Sequence, residues 1–412
     1  MNVADARSFF PGTQGRAFLD AACISLAPVQ AVEALNAFGQ QILLCPERDA
    51  SSHHVTLDRT AHATRREIAA LIGAQPSDFA LVESTTHALE IVAASVPLDR
   101  GDVILVGETE FLGLAVPWIP RRERDGFHIQ TVPHRDGRLL VDDFAAAITK
   151  QTRLILLSSV QWNNGFRADL AAFSQLARER GVLLLVDAIQ QLGALPVDVG
   201  RTPVDFLVCG GHKWLNAPAG RGFLYVFPRR VAELTPPGWG YLNIKTPPEG
   251  WARYFGTPTI PAVRDYEFAQ SARRFEVGGT SNYPGNIVLG ASVRLMNELG
   301  RGAIAEHIRG RCDVLLDGLR RVGATVVSPP GDGERSSIVT FSLGQGPERD
   351  RACLEYLWDR KIVISERYTA GVGGLRVSVH FFNNDDDVRQ LAGAVAEERG
   401  GAPASAAARE RI

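Results

Sequence analysis

Lysine is scarce in this chain, and one of its four lysines differs from the rest in its surroundings. Lys150, Lys245 and Lys361 lie in polar or Pro-rich stretches and read as solvated surface residues. Lys213 lies in Val208-Cys209-Gly210-Gly211-His212-Lys213-Trp214, behind an apolar run and two glycines. An ammonium between apolar and aromatic neighbours is poorly solvated, which lowers its pKa and frees the amine as a nucleophile. Such an amine can form a Schiff base with a carbonyl. The plainer reading is a lysine that opens a polar loop after a strand.

Asp187 argues against the plainer reading. It ends Val182-Leu183-Leu184-Leu185-Val186, a short apolar run of the kind a buried parallel strand shows. A carboxylate at that end points into the crevice where open α/β sheets bind ligands. Its simpler use is as a helix N-cap. A carboxylate and an amine on successive strand ends suit pyridoxal phosphate, with the acid on the pyridine nitrogen and the lysine on the aldehyde. Ser84-Thr85-Thr86 leads from the apolar Leu81-Val82 into a helical pattern. Hydroxyls and N–H groups at a helix start favour a dianion such as phosphate, although a plain Ser/Thr cap is the commoner use of such a triplet.

The elements that must position these groups alternate between strand and helix over 79–227. Strands are expected at 103–106, 154–157, 183–186 and 222–227. A helix capped by Asp169 is expected to end at Gly181. This rhythm predicts a mainly parallel sheet with helices on both faces. The stretch 235–261 is dense in Pro, Gly, Trp and Tyr and reads as a long ordered loop near the site. One helical pattern over 287–319, strands at 337–341 and 375–379, and a helix over 352–359 predict a smaller α+β unit. In Leu375-Arg376-Val377-Ser378-Val379-His380-Phe381 the apolar residues share one strand face. Arg376, Ser378 and His380 share the other, which pattern alone reads as wet.

Val186-Asp187-Ala188-Ile189-Gln190 followed by Gly211-His212-Lys213 resembles the fold-type I pyridoxal-phosphate enzymes of the class V aminotransferase group. The branch most resembled holds isopenicillin-N-epimerase-like enzymes and C–S lyases. The resemblance implies an α/β fold: a large domain whose mainly parallel seven-stranded-type sheet is sandwiched by helices, plus a smaller α+β C-terminal domain. The expected division is an N-terminal segment 1–30 joining the small domain, a large domain 31–280, a small domain 281–400 and a frayed tail 401–412.

The resemblance also distributes roles. Lys213 carries the cofactor and Asp187 holds its ring nitrogen. Thr85, Thr86 and His212 hold the phosphate, and Gln190 bonds the phenolic oxygen. Phe111 stacks on the ring at the place where desulfurases carry a histidine. Arg376, followed by Phe382-Asn383-Asn384, clamps the substrate α-carboxylate, while Ser25 and Trp162 line the pocket. Phe275-Glu276-Val277-Gly278-Gly279-Thr280 resembles a motif whose threonine reaches the partner's phosphate, implying a homodimer with shared active sites. Two departures stand out. Gly210 replaces a serine commonly found three residues before the lysine, and one extra glycine alters the register of Thr280.

A desulfurase needs a nucleophilic cysteine shortly before the clamping arginine, and 362–371 has none. The expected reaction on an amino-acid substrate is therefore C–S β-elimination from a cysteine S-conjugate. The aromatic stretch 239–255 suits a natural-product intermediate. Decarboxylation-coupled oxidative deamination, epimerisation and transamination share the same opening and stay open. A non-catalytic cofactor-binding sensor is the rival of another class. Sensors of that kind carry a DNA-binding domain ahead of the fold, and only seventeen residues precede Phe18.

Composition agrees with a soluble globular protein. Hydrophobic residues make up 45% and charged residues 22%, and a net charge of -2 gives no reason to invoke nucleic acid or an anionic membrane. No apolar run is long enough to span a bilayer, and the N-terminus lacks a signal-peptide pattern. Five scattered cysteines without metal-ligand spacing read as reduced thiols of a cytoplasmic protein.

Overall fold

The expected apolar strands form the middle of a seven-stranded sheet. The computed structural model describes residues 2–400, so the tail expected at 401–412 lies outside the described residues. After a short β1 (Ala17–Phe18) come β2 (Phe79–Val82), β3 (Val103–Gly107), β4 (His128–Val132), β5 (Thr152–Ser158), β6 (Leu183–Asp187), β7 (Phe206–Gly210) and β8 (Gly222–Val226). Their order is β2-β8-β7-β6-β5-β3-β4, and β8 alone runs against its neighbours. Alternate residues feed two cores. Ile155, Leu157, Leu184, Val186 and Leu207 pack on one face, and Leu154, Leu156, Leu185, Phe206 and Val208 on the other. Burial on both faces explains why these strands read as continuous apolar runs.

The helix Leu170–Arg180 crosses from β5 to β6. Asp169 accepts the Ala172 N–H at its start, and Gly181, at φ 64°, ends it. The return brings β6 beside β5 and β7, with Asp187 opposite both Ser158 and Val208. Adjacent parallel strands thus end together at Ser158, Asp187 and Gly210.

The second sheet contains β9 (Thr325–Val326), β10 (Ile338–Ser342), β12 (Ser365–Thr369) and β13 (Val372–Ser378), antiparallel in the order β12-β13-β10-β9; β11 (Ile362–Val363) pairs parallel with β1. Phe10 packs on Phe381 and Phe382, and Arg7 binds Asp387 at 2.7 Å, so the chain's start lies on this second unit. Among the described residues no helix is long and apolar enough to cross a membrane.

Three local expectations are corrected. The pattern over 287–319 is two helices, Tyr283–Leu299 and Arg301–Arg321, broken at Gly300 with φ 85°. Apolar periodicity resumes beyond the break and hides it. The stretch 235–261 contains a 3-10 turn, Tyr241–Asn243, and a helix, Trp251–Phe255, which meet where Tyr241 packs edge-on against Trp251 at 5.8 Å. The polar face of β13 is not wet: Arg376, Ser378 and His380 are all buried, because this face lies against the large sheet's loops.

Candidate active site

Lys213 follows the end of β7 in a turn that the Asn216 N–H closes on its carbonyl at 3.0 Å. The side chain is half-buried. Desolvation lowers its pKa to about 8, against the opposing pull of Asp187. Asp187 is 4% exposed, and burial pushes its carboxyl up to about 6 although the Ile189 N–H, at 2.9 Å from Oδ1, and Lys213 favour the anion. The two act on each other through space without a hydrogen bond. The turn after Lys213 is pinned from the second unit, where His380 Nε2 bonds the Trp214 carbonyl at 3.0 Å and Nδ1 accepts the Phe381 N–H. Burial lowers the His380 pKa to about 3, so it holds that turn as a neutral ring.

An anion cradle lies beside this pair. Ser84 caps the helix Thr85–Ser95 by accepting the His87 N–H at 3.0 Å. Thr85 is buried and its Oγ1 has no partner, whereas Thr86 is exposed. A buried hydroxyl without a partner at a helix N-terminus is suited to an anion. Gly210 faces it: a Cβ there would stand 2.9 Å from Thr85 Oγ1 and 3.2 Å from the His212 ring. The missing serine is thereby explained, because Thr85 and His212 close in on the space its side chain would need.

Arg376 occupies the opposite wall, 2% exposed. Its NH1 donates to the Trp162 carbonyl at 2.9 Å and its NH2 to Asp20 Oδ1 at 3.1 Å, while Nε has no partner. Trp162 donates its indole N–H to the Thr109 carbonyl at 3.1 Å and meets the Phe111 ring edge-on at 5.4 Å. Lys213 Nζ is 5.9 Å from the Phe111 ring centre. Ser25 joins the lysine turn, its N–H on the His212 carbonyl at 2.9 Å and its hydroxyl accepting from Asn216 at 2.8 Å. Gln190 is already engaged: its amide donates to the Ala22 carbonyl at 3.1 Å and accepts the Trp214 indole N–H at 2.8 Å. Thr280 is exposed and touches none of these groups within one chain.

Two acidic residues escaped the sequence reading. Asp20 orients Arg376 by accepting from its NH2 at 3.1 Å, and nothing in the local pattern marks it. Glu110, next to Phe111, is buried and accepts from the Ser158 N–H at 2.7 Å, the Ser158 hydroxyl and Gln161 Nε2 at 2.9 Å. It therefore ties Phe111 and Trp162 to the strand beside Asp187. Burial raises its pKa to about 7, and the negative charge of Asp187 adds to the rise. A carboxyl raised on folding makes the native state hold more protons than the unfolded chain between the two pKa values, so stability falls as pH rises through that window. The cofactor-free protein is expected to lose on the order of 1–3 kcal/mol from this group between pH ~4.5 and ~7. Denaturant melts across that range should show a shallower fall in Glu110→Gln; an unchanged slope would contradict the assignment.

The cysteines divide sharply. Cys209, Cys312 and Cys353 are buried, and burial raises all three thiols, the last two to about 12. Cys23 is exposed, with Arg367 NH2 at 3.7 Å from its sulfur. No group of three metal-ligating side chains occurs among the described residues.

The residues fit pyridoxal phosphate: an orphan hydroxyl at a helix start for the phosphate, a buried carboxylate for the ring nitrogen, and a depressed lysine for the aldehyde. Comparisons with known proteins agree. Isopenicillin N epimerase from Streptomyces clavuligerus is 32% identical over 80% of this chain and 82% of its own length. A probable cysteine desulfurase from Methanothermobacter thermautotrophicus is 27% identical over 97% of this chain and 99% of its own. The solved complex of the cystine C–S lyase C-DES with its product cysteine persulfide superposes with a TM-score of 0.82 at 25% identity, covering 94% of this chain and 99% of that one. The architecture is that of fold-type I enzymes, and the cofactor indicated is pyridoxal 5′-phosphate. The model of the class-V aminotransferase family matches residues 17–391, and the chain belongs to that family.

Proposed function

We propose that the protein is a C–S lyase, cleaving a cysteine S-conjugate by β-elimination to a thiol, pyruvate and ammonium, with one water consumed. The observation that carries the reading is the placement of Lys213, Asp187 and Arg376 around one crevice whose clamp-bearing hairpin has no cysteine. Pyridoxal phosphate, when bound, supplies the electron sink for the substrate's Cα bonds. Asp187 keeps the ring nitrogen protonated. Thr85, Thr86 and His212 would hold the phosphate, and Phe111 would lie against the ring. Arg376 takes the α-carboxylate with its free Nε–H, held in plane by Asp20 and the Trp162 carbonyl. Lys213, whose desolvation favours the neutral amine, removes the Cα proton. The sulfur leaves from Cβ as a thiol and needs no acceptor.

A second copy of the chain completes the site in this reading. Thr280 is solvent-exposed and free to reach a partner's phosphate. Exposed apolar residues on the helix Val29–Leu44, including Leu43 at 73% and Leu44 at 69%, offer a surface for that partner.

Cys23 favours a second reading, sulfur transfer to a thiol of the chain, because it is exposed on the segment that carries Asp20, with Arg367 NH2 3.7 Å from its sulfur. One assay separates the two. Holoenzyme given S-alkyl-L-cysteines is expected to release pyruvate and free thiol in equal amounts. L-Cysteine giving alanine and a persulfide on Cys23 would favour transfer instead, and neither pyruvate nor thiol from any conjugate would sink the lyase reading.

A further inference from the structure

The wall of the crevice that carries Arg376 holds a second guanidinium. In the β12–β13 hairpin Ser365 lies directly opposite Arg376, and Arg367, two residues on, shares their face. Opposite Arg367 stands Gly374, which presents no side chain. Arg367 is half-buried. Its NH1 donates to the Glu366 carbonyl at 2.7 Å and its NH2 points at the Cys23 sulfur. It forms no salt bridge among the described residues. The segment around Asp20 ties this wall together: the Cys23 N–H donates to the Asp20 carbonyl at 3.0 Å, and Asp20 Oδ1 accepts from Ser365 Oγ at 3.0 Å and Arg376 NH2 at 3.1 Å. Electrostatics place the two arginines within reach of one another. Burial depresses the Arg376 pKa, Asp20 opposes this, and the like charge of Arg367 depresses it further.

The charges on this wall do not balance. Two guanidinium groups face one carboxylate, Asp20. A zwitterionic amino acid brings no net charge and leaves one cation uncompensated. One extra anionic group on the substrate cancels it. We infer that Arg367 selects amino acids whose side chain bears an anionic group, a carboxylate in the simplest case, while Arg376 holds the α-carboxylate. This rests on the crevice being the substrate site, as proposed above.

The test uses holoenzyme and two near-isosteres, S-carboxymethyl-L-cysteine and S-carbamoylmethyl-L-cysteine, which differ by one charge. Affinities come from titration calorimetry, with the cofactor's absorbance recorded in parallel. The anionic compound is expected to bind about tenfold tighter or more, the usual scale for charged hydrogen bonds. That preference is expected to fall toward unity in Arg367→Gln and to shrink with added salt. Equal affinities in the native protein, or a preference undiminished in Arg367→Gln, would overturn the inference. An absorbance response to both compounds with equal affinities overturns this inference alone and leaves the site assignment standing. No heat and no absorbance response with either compound overturns both.

Discussion

Lys213→Ala is expected to keep its fold and lose turnover by on the order of 10³-fold or more, because in the proposed mechanism one group serves as both the cofactor's anchor and the base for the Cα proton. The fold survives because the side chain is half-buried and makes no side-chain hydrogen bond that supports the turn; the turn is closed by the Asn216 N–H on the Lys213 carbonyl and by His380 on Trp214. Removing a desolvated ammonium also removes a cost of folding. The cofactor should still bind through the phosphate cradle, more weakly. Steady-state rates and a cofactor-binding titration check this. Turnover within tenfold of the native protein would mean that another amine does the chemistry.

Asp187→Asn should be the second-largest lesion, with kcat reduced on the order of 10²–10³-fold, the scale expected when an electrostatic partner of the reacting system is neutralised. Asparagine keeps the shape and can still accept the Ile189 N–H, so the change removes charge and little else. The lesion should lie in kcat and leave KM comparatively unaffected, because the proposed partner of Asp187 is the ring nitrogen, while the proposed clamp for the substrate's carboxylate is Arg376. Kinetics on S-alkyl-L-cysteines measure this split. A variant with native kcat would show that the ring nitrogen needs no anionic partner here.

Much of this site was legible in the sequence because its strongest signals are local. A buried strand announces itself as an apolar run, and a charged residue at its end, as with Asp187 and Lys213, is a local anomaly. Asp169 was readable as a cap because capping spans three residues, and a cap was the plainer use of the triplet at 84–86, where Ser84 takes it. The rest depends on contacts between distant segments. Asp20 meets Arg376 across 356 residues, and Glu110 meets Ser158 across 48, so neither pairing leaves a periodic trace. The polar face of β13 was misread for the same reason. Alternation shows that Arg376, Ser378 and His380 share a face, but only the docked large sheet makes that face dry. Gly300 escaped notice because apolar periodicity runs through both flanking helices.

Lys213 is proposed as the residue that bonds the cofactor. Purified holoenzyme, expected to absorb near ~420 nm when a lysine carries the aldehyde, is reduced with borohydride, digested and mapped by mass spectrometry. The expected result is a pyridoxyl adduct on the peptide containing Lys213 and on no peptide containing Lys150, Lys245 or Lys361. An adduct on one of those three, or none after reconstitution with pyridoxal phosphate, would contradict it.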